Sequence, residues 1–351
     1  MSSSDNPLGT DGFEFLEFAT PHTEQLKKEF EQLGFEQVAS RTTAAATVFA
    51  QGELHFIINE DPASHAVNFS KAHGPCVSAM GFRVQDKHKA FELALARGAK
   101  AYEGEDGAKV LNEPAIYGIG GALIYFIDHA DNQPVYQGAF DNYTQPRSKR
   151  GLKVLDHVTH NVPQGRMDYW ADFYKTIFNF EQVRYFDIKG LYTGLISRAL
   201  ASPCGKIRIP INEPTDDQSQ IAEYLREYNG EGIQHIAMTS ENIYDSVESL
   251  RADGVKFLTV PDSYYDMLPE RLPEHDEDVP RMHKDQILMD GGEAQGGGLL
   301  LQIFTENMIG PVFFEIIQRK GNEGFGEGNF QALFDAMERD QIRRGTLKID
   351  E

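Results

Sequence analysis

The sequence predicts an α+β fold of two tandem domains built on one plan, and three observations carry that expectation. Phe13–Phe18 (FEFLEF), the helical stretch Thr23–Leu33 and the LGFE that closes it recur as Leu155–His160 (LDHVTH), Met167–Ile177 and FNFE. Further along, Cys76–Lys100 matches Ile233–Phe257 in pattern: an apolar strand, a helix, then a glycine suited to the left-handed position after a helix end. Each half then carries a glycine-preceded apolar strand, Gly121–Ile127 (GALIYFI) and Gly310–Ile317 (GPVFFEII). Each half therefore reads as two β-α-β-β-β units. The stretch Asp131–Lys149, rich in Asn, Gln, Pro and Ser, reads as the linker, so the domains are expected at 1–150 and 151–351.

Composition narrows the functional classes. With 351 residues, 40% of them hydrophobic, the chain has material for two cores of ordinary size. The 33 basic and 54 acidic residues leave a net charge of −21, which repels phosphate backbones and anionic lipid. Neither nucleic acid nor a membrane is expected as a partner. Cys76 and Cys204 are the two cysteines, too few and too far apart for a disulfide framework or a thiolate zinc site. The first residues, MSSSDNPLGTDG, are polar, and no window approaches the roughly 18 apolar residues of a membrane span. A soluble cytoplasmic protein is expected.

The repeat serves as an internal control. Setting LDHVTH on FEFLEF places His157 over Phe15; superposing Gly98 and Gly254 places His235 over Ala79; setting GPVFFE on GALIYF places Glu315 over Phe126. The second half thus carries metal-competent side chains where the first carries apolar ones. A lone buried histidine on a strand is ordinarily a satisfied structural residue. Three such groups converging on one cavity cost several kcal/mol to bury unless something compensates them, and a divalent cation does so most simply. Two imidazoles and a carboxylate form the facial triad of non-haem iron(II) oxygenases, although ligand type alone does not separate iron from zinc or manganese. His160 stands an odd number of residues from His157 and is expected on the other sheet face.

The repeat order resembles the vicinal-oxygen-chelate superfamily, in which each domain's paired β-α-β-β-β units wrap into an open half-barrel. The segments SRALASPCGKIRIPINEP, SQIAEYL, GIQHIA, LLLQIFT, FFEIIQR and GFGEGNF, in that order, resemble the bacterial type of 4-hydroxyphenylpyruvate dioxygenase. FFEIIQR followed by GFGEGNF is the specific combination; LDHV alone would be weak. The resemblance implies Fe(II) on His157, His235 and Glu315, with Gln234, Gln302, Asn212 and Ser197 as polar groups serving catalysis. It implies a substrate pocket of Pro210, Gln220, Phe304, Phe313, Phe325, Phe330 and Leu333, with Phe304 and Phe330 bracketing the aromatic ring.

The implied reaction takes 4-hydroxyphenylpyruvate and O2 to homogentisate and CO2, a step of tyrosine and phenylalanine catabolism. It proceeds by oxidative decarboxylation, ring hydroxylation and side-chain migration, and family members assemble as homodimers or homotetramers. The nearest rival reading is 4-hydroxymandelate synthase, which shares ligands and substrate; a metal-free binding protein is the rival from another class. PINEP and the paired phenylalanines favour the dioxygenase. The stretch Gly324–Arg344 holds a glycine-rich loop and an amphipathic helix with Phe330, Leu333, Phe334 and Met337 on one face, expected to gate the site. Asp262–Gly298, acidic and containing His275 and His283, is expected to be a solvated excursion, and its glycine run lacks the Lys-Ser/Thr of a phosphate loop.

Overall fold

The computed structural model describes residues 6–42, 45–104, 108–129, 133–189, 194–292 and 297–333. The N-terminal half forms β1 (Thr10–Ala19), α1 (Thr23–Gln32), β2 (Glu36–Arg41), β3 (Ala46–Gln51), β4 (Leu54–Asn59), α2 (His65–His73), β5 (Cys76–Val84), α3 (Lys87–Ala96), β6 (Ala115–Tyr117) and β7 (Leu123–Ile127). Its seven strands lie in the order β2-β3-β4-β1-β5-β7-β6. The C-terminal half forms β8 (Leu152–Asn161), α4 (Met167–Phe178), β9 (Glu181–Lys189), β10 (Gly194–Ala201), β11 (Arg208–Pro214), α5 (Gln220–Glu227), β12 (Gly232–Ser240) and α6 (Ile243–Ala252). It continues through α7 (Asp262–Asp266), α8 (Leu268–Arg271), α9 (Val279–Asp285), β13 (Leu288–Gly291), β14 (Leu299–Phe304) and β15 (Phe313–Lys320). These eight strands follow the order β13-β14-β15-β12-β8-β11-β10-β9. Each sheet curls into a half-barrel with its helices outside.

The two halves share one register. Phe15 pairs with Gly81 as His157 pairs with Ala237, and Glu17 pairs with Ala79 as Thr159 pairs with His235. On the next strand Gly81 meets Tyr125, whereas Ala237 meets Glu315. Tyr125, rather than Phe126, therefore occupies the position of Glu315. The correction follows from spacing: β7 begins two residues after Gly121, but β15 begins three residues after Gly310. A one-residue slip turns a side chain to the opposite face. Phe126 accordingly packs outward, its ring 6.0 Å from those of Phe91 and Phe178.

The first half-barrel is filled by its own side chains. The rings of Phe15 and Tyr125 lie 5.5 Å apart, and Tyr136, fully buried, stacks on His55 at 4.5 Å and donates its hydroxyl to the Glu14 carbonyl at 3.1 Å. Tyr136 comes from the stretch expected to be only a linker, which doubles as a plug. In the second unit of this half, the strand expected just after α3 shrinks to a single bridge between Ala101 and Ile116.

The excursion 262–298 also departs from expectation. Tyr264, Tyr265, Leu268 and Met282 are buried, and that apolar content folds it into α7–α9 against the second sheet. His283 pairs with Asp262 at 2.8 Å and stacks on Tyr265 at 4.3 Å, while His275 accepts the Glu277 backbone N–H. After β15 the chain crosses a short loop and is helical over 327–333. Phe334, Met337 and the remainder of the expected gating helix lie outside the described residues. The halves share a core: Phe82 meets Phe178 at 5.4 Å, Phe56 meets Phe314 at 5.9 Å, and Arg97 donates to the Ile177 carbonyl at 2.9 Å.

Candidate metal centre

Three adjacent strands of the second sheet, β8, β12 and β15, place His157, His235 and Glu315 side by side. One ligand atom from each lies within 4.8 Å of the others, and all three side chains are buried. Glu315 Oε2 is 3.1 Å from His157 Nε2 and 3.5 Å from His235 Nε2.

The outward nitrogens are held. His157 Nδ1 meets Asp156 Oδ2 at 2.8 Å, and His235 Nδ1 meets Gln234 Oε1 at 2.9 Å. Fixing Nδ1–H in this way aims each Nε2 lone pair at the carboxylate. Glu315 Oε1 accepts from Gln302 Nε2 at 2.8 Å, which leaves Oε2 facing the imidazoles. The rings are buttressed by Phe313, stacked on His235 at 5.0 Å, and Phe325, edge-on to His157 at 5.4 Å.

The electrostatics follow from burial and partners. Burial alone would raise the Glu315 carboxyl, yet His157 and His235 pull it down to about 2. Burial disfavours a charged His157, but Glu315 and Asp156 outweigh it and raise its pKa; at His235 burial wins and the pKa falls. Asp156 is held far below the usual carboxylate range, because Arg319 and His157 overcome the cost of its burial. Arg319 grips it at 2.8 and 2.7 Å, and Arg208 adds a contact at 3.0 Å. Two neutral donors and one anionic donor, buried and pre-aimed at a common point, are a fitting set for a divalent cation.

A cavity opens beside these three side chains. Its walls include Thr159, Phe186, Ile188, Leu195, Ser197, Pro210, Asn212, Gln302, Phe304, Phe325, Glu327 and Phe330. Cross-strand pairing explains the row: Phe186 pairs with Ser197, Ser197 with Asn212, and Pro210 with Ala199, so alternate residues share the inner face. Of the residues expected in the pocket, Ser197, Pro210, Asn212, Gln302, Phe304, Phe325 and Phe330 are brought together there. The structure places the others elsewhere. Gln234 and Phe313 support His235 from outside the cavity wall. Gln220 is exposed on the first turn of α5, and Leu333 packs against the main core. His160 faces the helix side, bonded to the Tyr174 hydroxyl at 2.7 Å.

Sequence reasoning missed Thr159, Asp156, Arg319 and the apolar wall of Phe186, Ile188 and Leu195. The signal for Thr159 was available, since it stands two residues from His157; its hydroxyl lies 2.9 Å from His235 Nε2. The Asp156–Arg319 pair joins residues far apart in the chain and had none.

Comparisons with known proteins agree with this architecture. Residues 4–141 match the family described as hydroxyphenylpyruvate dioxygenase, HPPD, N-terminal, and residues 154–268 match the glyoxalase/bleomycin resistance protein/dioxygenase superfamily. The chain is 54% identical to hemolysin VllY of Vibrio vulnificus, over 99% of each chain. It is 53% identical to 4-hydroxyphenylpyruvate dioxygenase of Legionella pneumophila strain Corby, over 98% of this chain and 99% of the relative. Among solved structures, a mutant 4-hydroxymandelate synthase from Streptomyces coelicolor superposes with a TM-score of 0.80 at 25% identity, covering 95% of this chain and 99% of that one. With near-complete coverage at this identity, the chain belongs to the 4-hydroxyphenylpyruvate dioxygenase family.

Proposed function

We propose that the protein converts 4-hydroxyphenylpyruvate and O2 to homogentisate and CO2 with iron(II) on His157, His235 and Glu315. The observation that carries this reading is the buried triad opening onto a cavity with an aromatic and amide lining. When bound, iron(II) supplies open coordination positions for a 2-oxo acid and dioxygen, and the redox chemistry of oxidative decarboxylation.

The protein's own residues supply position and dryness. Asp156 and Gln234 hold the imidazoles, and Gln302 keeps one carboxylate oxygen of Glu315 occupied. Phe304 and Phe330 offer ring faces to the substrate's aromatic group, worth about 0.5–1.5 kcal/mol per ring pair beyond burial. Ser197 and Asn212 present neutral hydrogen-bonding groups to polar atoms without adding charge. Glu327 and Phe330 of the helical turn 327–333 line the cavity and limit water there.

We assign catalysis to 151–351 and treat 1–150 as a non-catalytic half, because Phe15, Ala79 and Tyr125 stand where the ligands stand. The assembly is proposed as a homodimer or homotetramer in the cytoplasm; no described helix is long and apolar enough to cross a membrane. The synthase reading draws on the fold likeness at a TM-score of 0.80. Chromatography of the product separates the two: homogentisate supports the dioxygenase, and 4-hydroxymandelate overturns it.

A further inference from the structure

Asn329 is buried and takes part in neither the triad nor the cavity wall. It stands in the helical turn 327–333, next to Phe330. Its amide nitrogen donates to Gln302 Oε1 at 2.6 Å, and Gln302 in turn donates to Glu315 Oε1 at 2.8 Å. At the other end, Asn329 Oδ1 accepts from the Tyr264 hydroxyl at 2.6 Å and from Arg271 at 3.2 Å. Every donor in this chain points toward the carboxylate. An ionised carboxylate only accepts, so Gln302 must turn its NH2 to Glu315 and its oxygen to Asn329. Asn329 must then turn its own NH2 inward, and Tyr264 and Arg271 satisfy the oxygen left behind.

Two backbone contacts press the segment onto this relay. Gly326, at φ +79°, sits so close that an added Cβ would lie 1.9 Å from Gln302 Oε1. Gly328 donates its N–H to Asp290 Oδ2 at 2.9 Å. The first turn of the C-terminal segment is thereby seated on the amide that sets the metal-facing carboxylate.

We infer that Asn329 is a positioning residue that couples the seating of the C-terminal helical turn to the orientation of Glu315 at the metal. Seated, the turn locks Gln302 in one amide orientation and leaves Oε2 of Glu315 as the single oxygen aimed at the ion. Unseated, Gln302 keeps only its bond to Glu315, and the carboxylate's partner is held less firmly. Linkage makes the effect reciprocal: metal binding favours the seated turn by the same factor.

The inference rests on the triad binding a divalent metal, and the test separates the two. Co(II) serves as probe, titrated into the full-length protein and followed by its visible spectrum. Asn329→Asp is the informative variant, because Tyr264 and Arg271 still donate to its carboxylate while an oxygen now faces Gln302. Either Gln302 keeps its orientation against that oxygen, or it flips and opposes Glu315. The Co(II) dissociation constant is expected to rise at least about 10-fold, with an altered spectrum and cooperative unfolding retained. Asn329→Ala should weaken binding in the same direction. If both variants fail to fold, Tyr264→Phe removes the donor that orients Asn329 and should shift the spectrum likewise. Wild-type protein that takes up no Co(II) ends both readings. Wild-type binding with variants within twofold of it and an unchanged spectrum overturns the inference alone.

Discussion

His157 shows how much of the candidate metal centre lies behind the three side chains that face it. Its imidazole is aimed by Asp156, and Asp156 is held by Arg319 and Arg208. Arg319 also donates to the carbonyls of Asn322 (3.1 Å) and Gly324 (2.6 Å), so one guanidinium ties the ligand strand to the loop before the C-terminal turn. Asp156→Asn would leave a largely buried Arg319 without its charge partner, which is expected to cost roughly 3–5 kcal/mol in denaturant unfolding. Metal affinity should fall about 10- to 100-fold, read by titration. Unchanged values would remove Asp156 from that role. A second buried carboxylate behaves oppositely. Glu17, bonded to Asn59 at 2.7 Å, is pushed up from 4.5 to about 7, mainly by burial. Its folded pKa lies above the unfolded one, so its own contribution to stability is full below pH 4.5, declines through about pH 7, and then levels off. Glu17→Gln should therefore match wild type near pH 4.5 and exceed it above pH 7 by on the order of 1–3 kcal/mol. Equal curves at pH 8 would refute the assignment.

At the scale of elements, the two halves use one register for opposite ends. In the first half, Phe15 lies over Gly81, where an added Cβ would fall 2.6 Å from the ring; in the second, a narrower imidazole lies over Ala237. Gly81→Ala is expected to destabilise the protein by about 1–3 kcal/mol through overpacking, with the metal dissociation constant unmoved. A changed metal affinity would show that the first half-barrel influences the second. The helices α1 and α4, the opening strands and the strand positions of His157, His235 and Glu315 were all legible in the sequence, because amphipathic period and polar residues on apolar strands survive without tertiary information. Glu315 stands beside the two histidines, but its counterpart was misplaced by one residue, since an ungapped reading cannot see the extra residue before β15. Tyr136 as a plug and Tyr264 beneath the C-terminal turn were illegible for a different reason. Each sits in a polar stretch whose burial depends on a surface formed elsewhere in the chain.

Across the whole molecule, the first half-barrel keeps an interior cluster of its own, while the largest core spans both halves. Phe82, Phe178, Phe56 and Phe314 join them in one apolar cluster. Thermal unfolding is expected as one transition, coincident by far-ultraviolet and near-ultraviolet circular dichroism; two resolved steps would show the halves to be independent. The central claim is that His157, His235 and Glu315 hold iron(II) for a reaction that consumes dioxygen. Its most direct test is oxygen uptake with 4-hydroxyphenylpyruvate after anaerobic loading with Fe(II), on wild type and Glu315→Ala in parallel. The wild type should consume one O2 per homogentisate formed, and the variant, still folded, should bind no iron and consume none. Oxygen uptake retained in Glu315→Ala, or absent from iron-loaded wild type, would contradict the account.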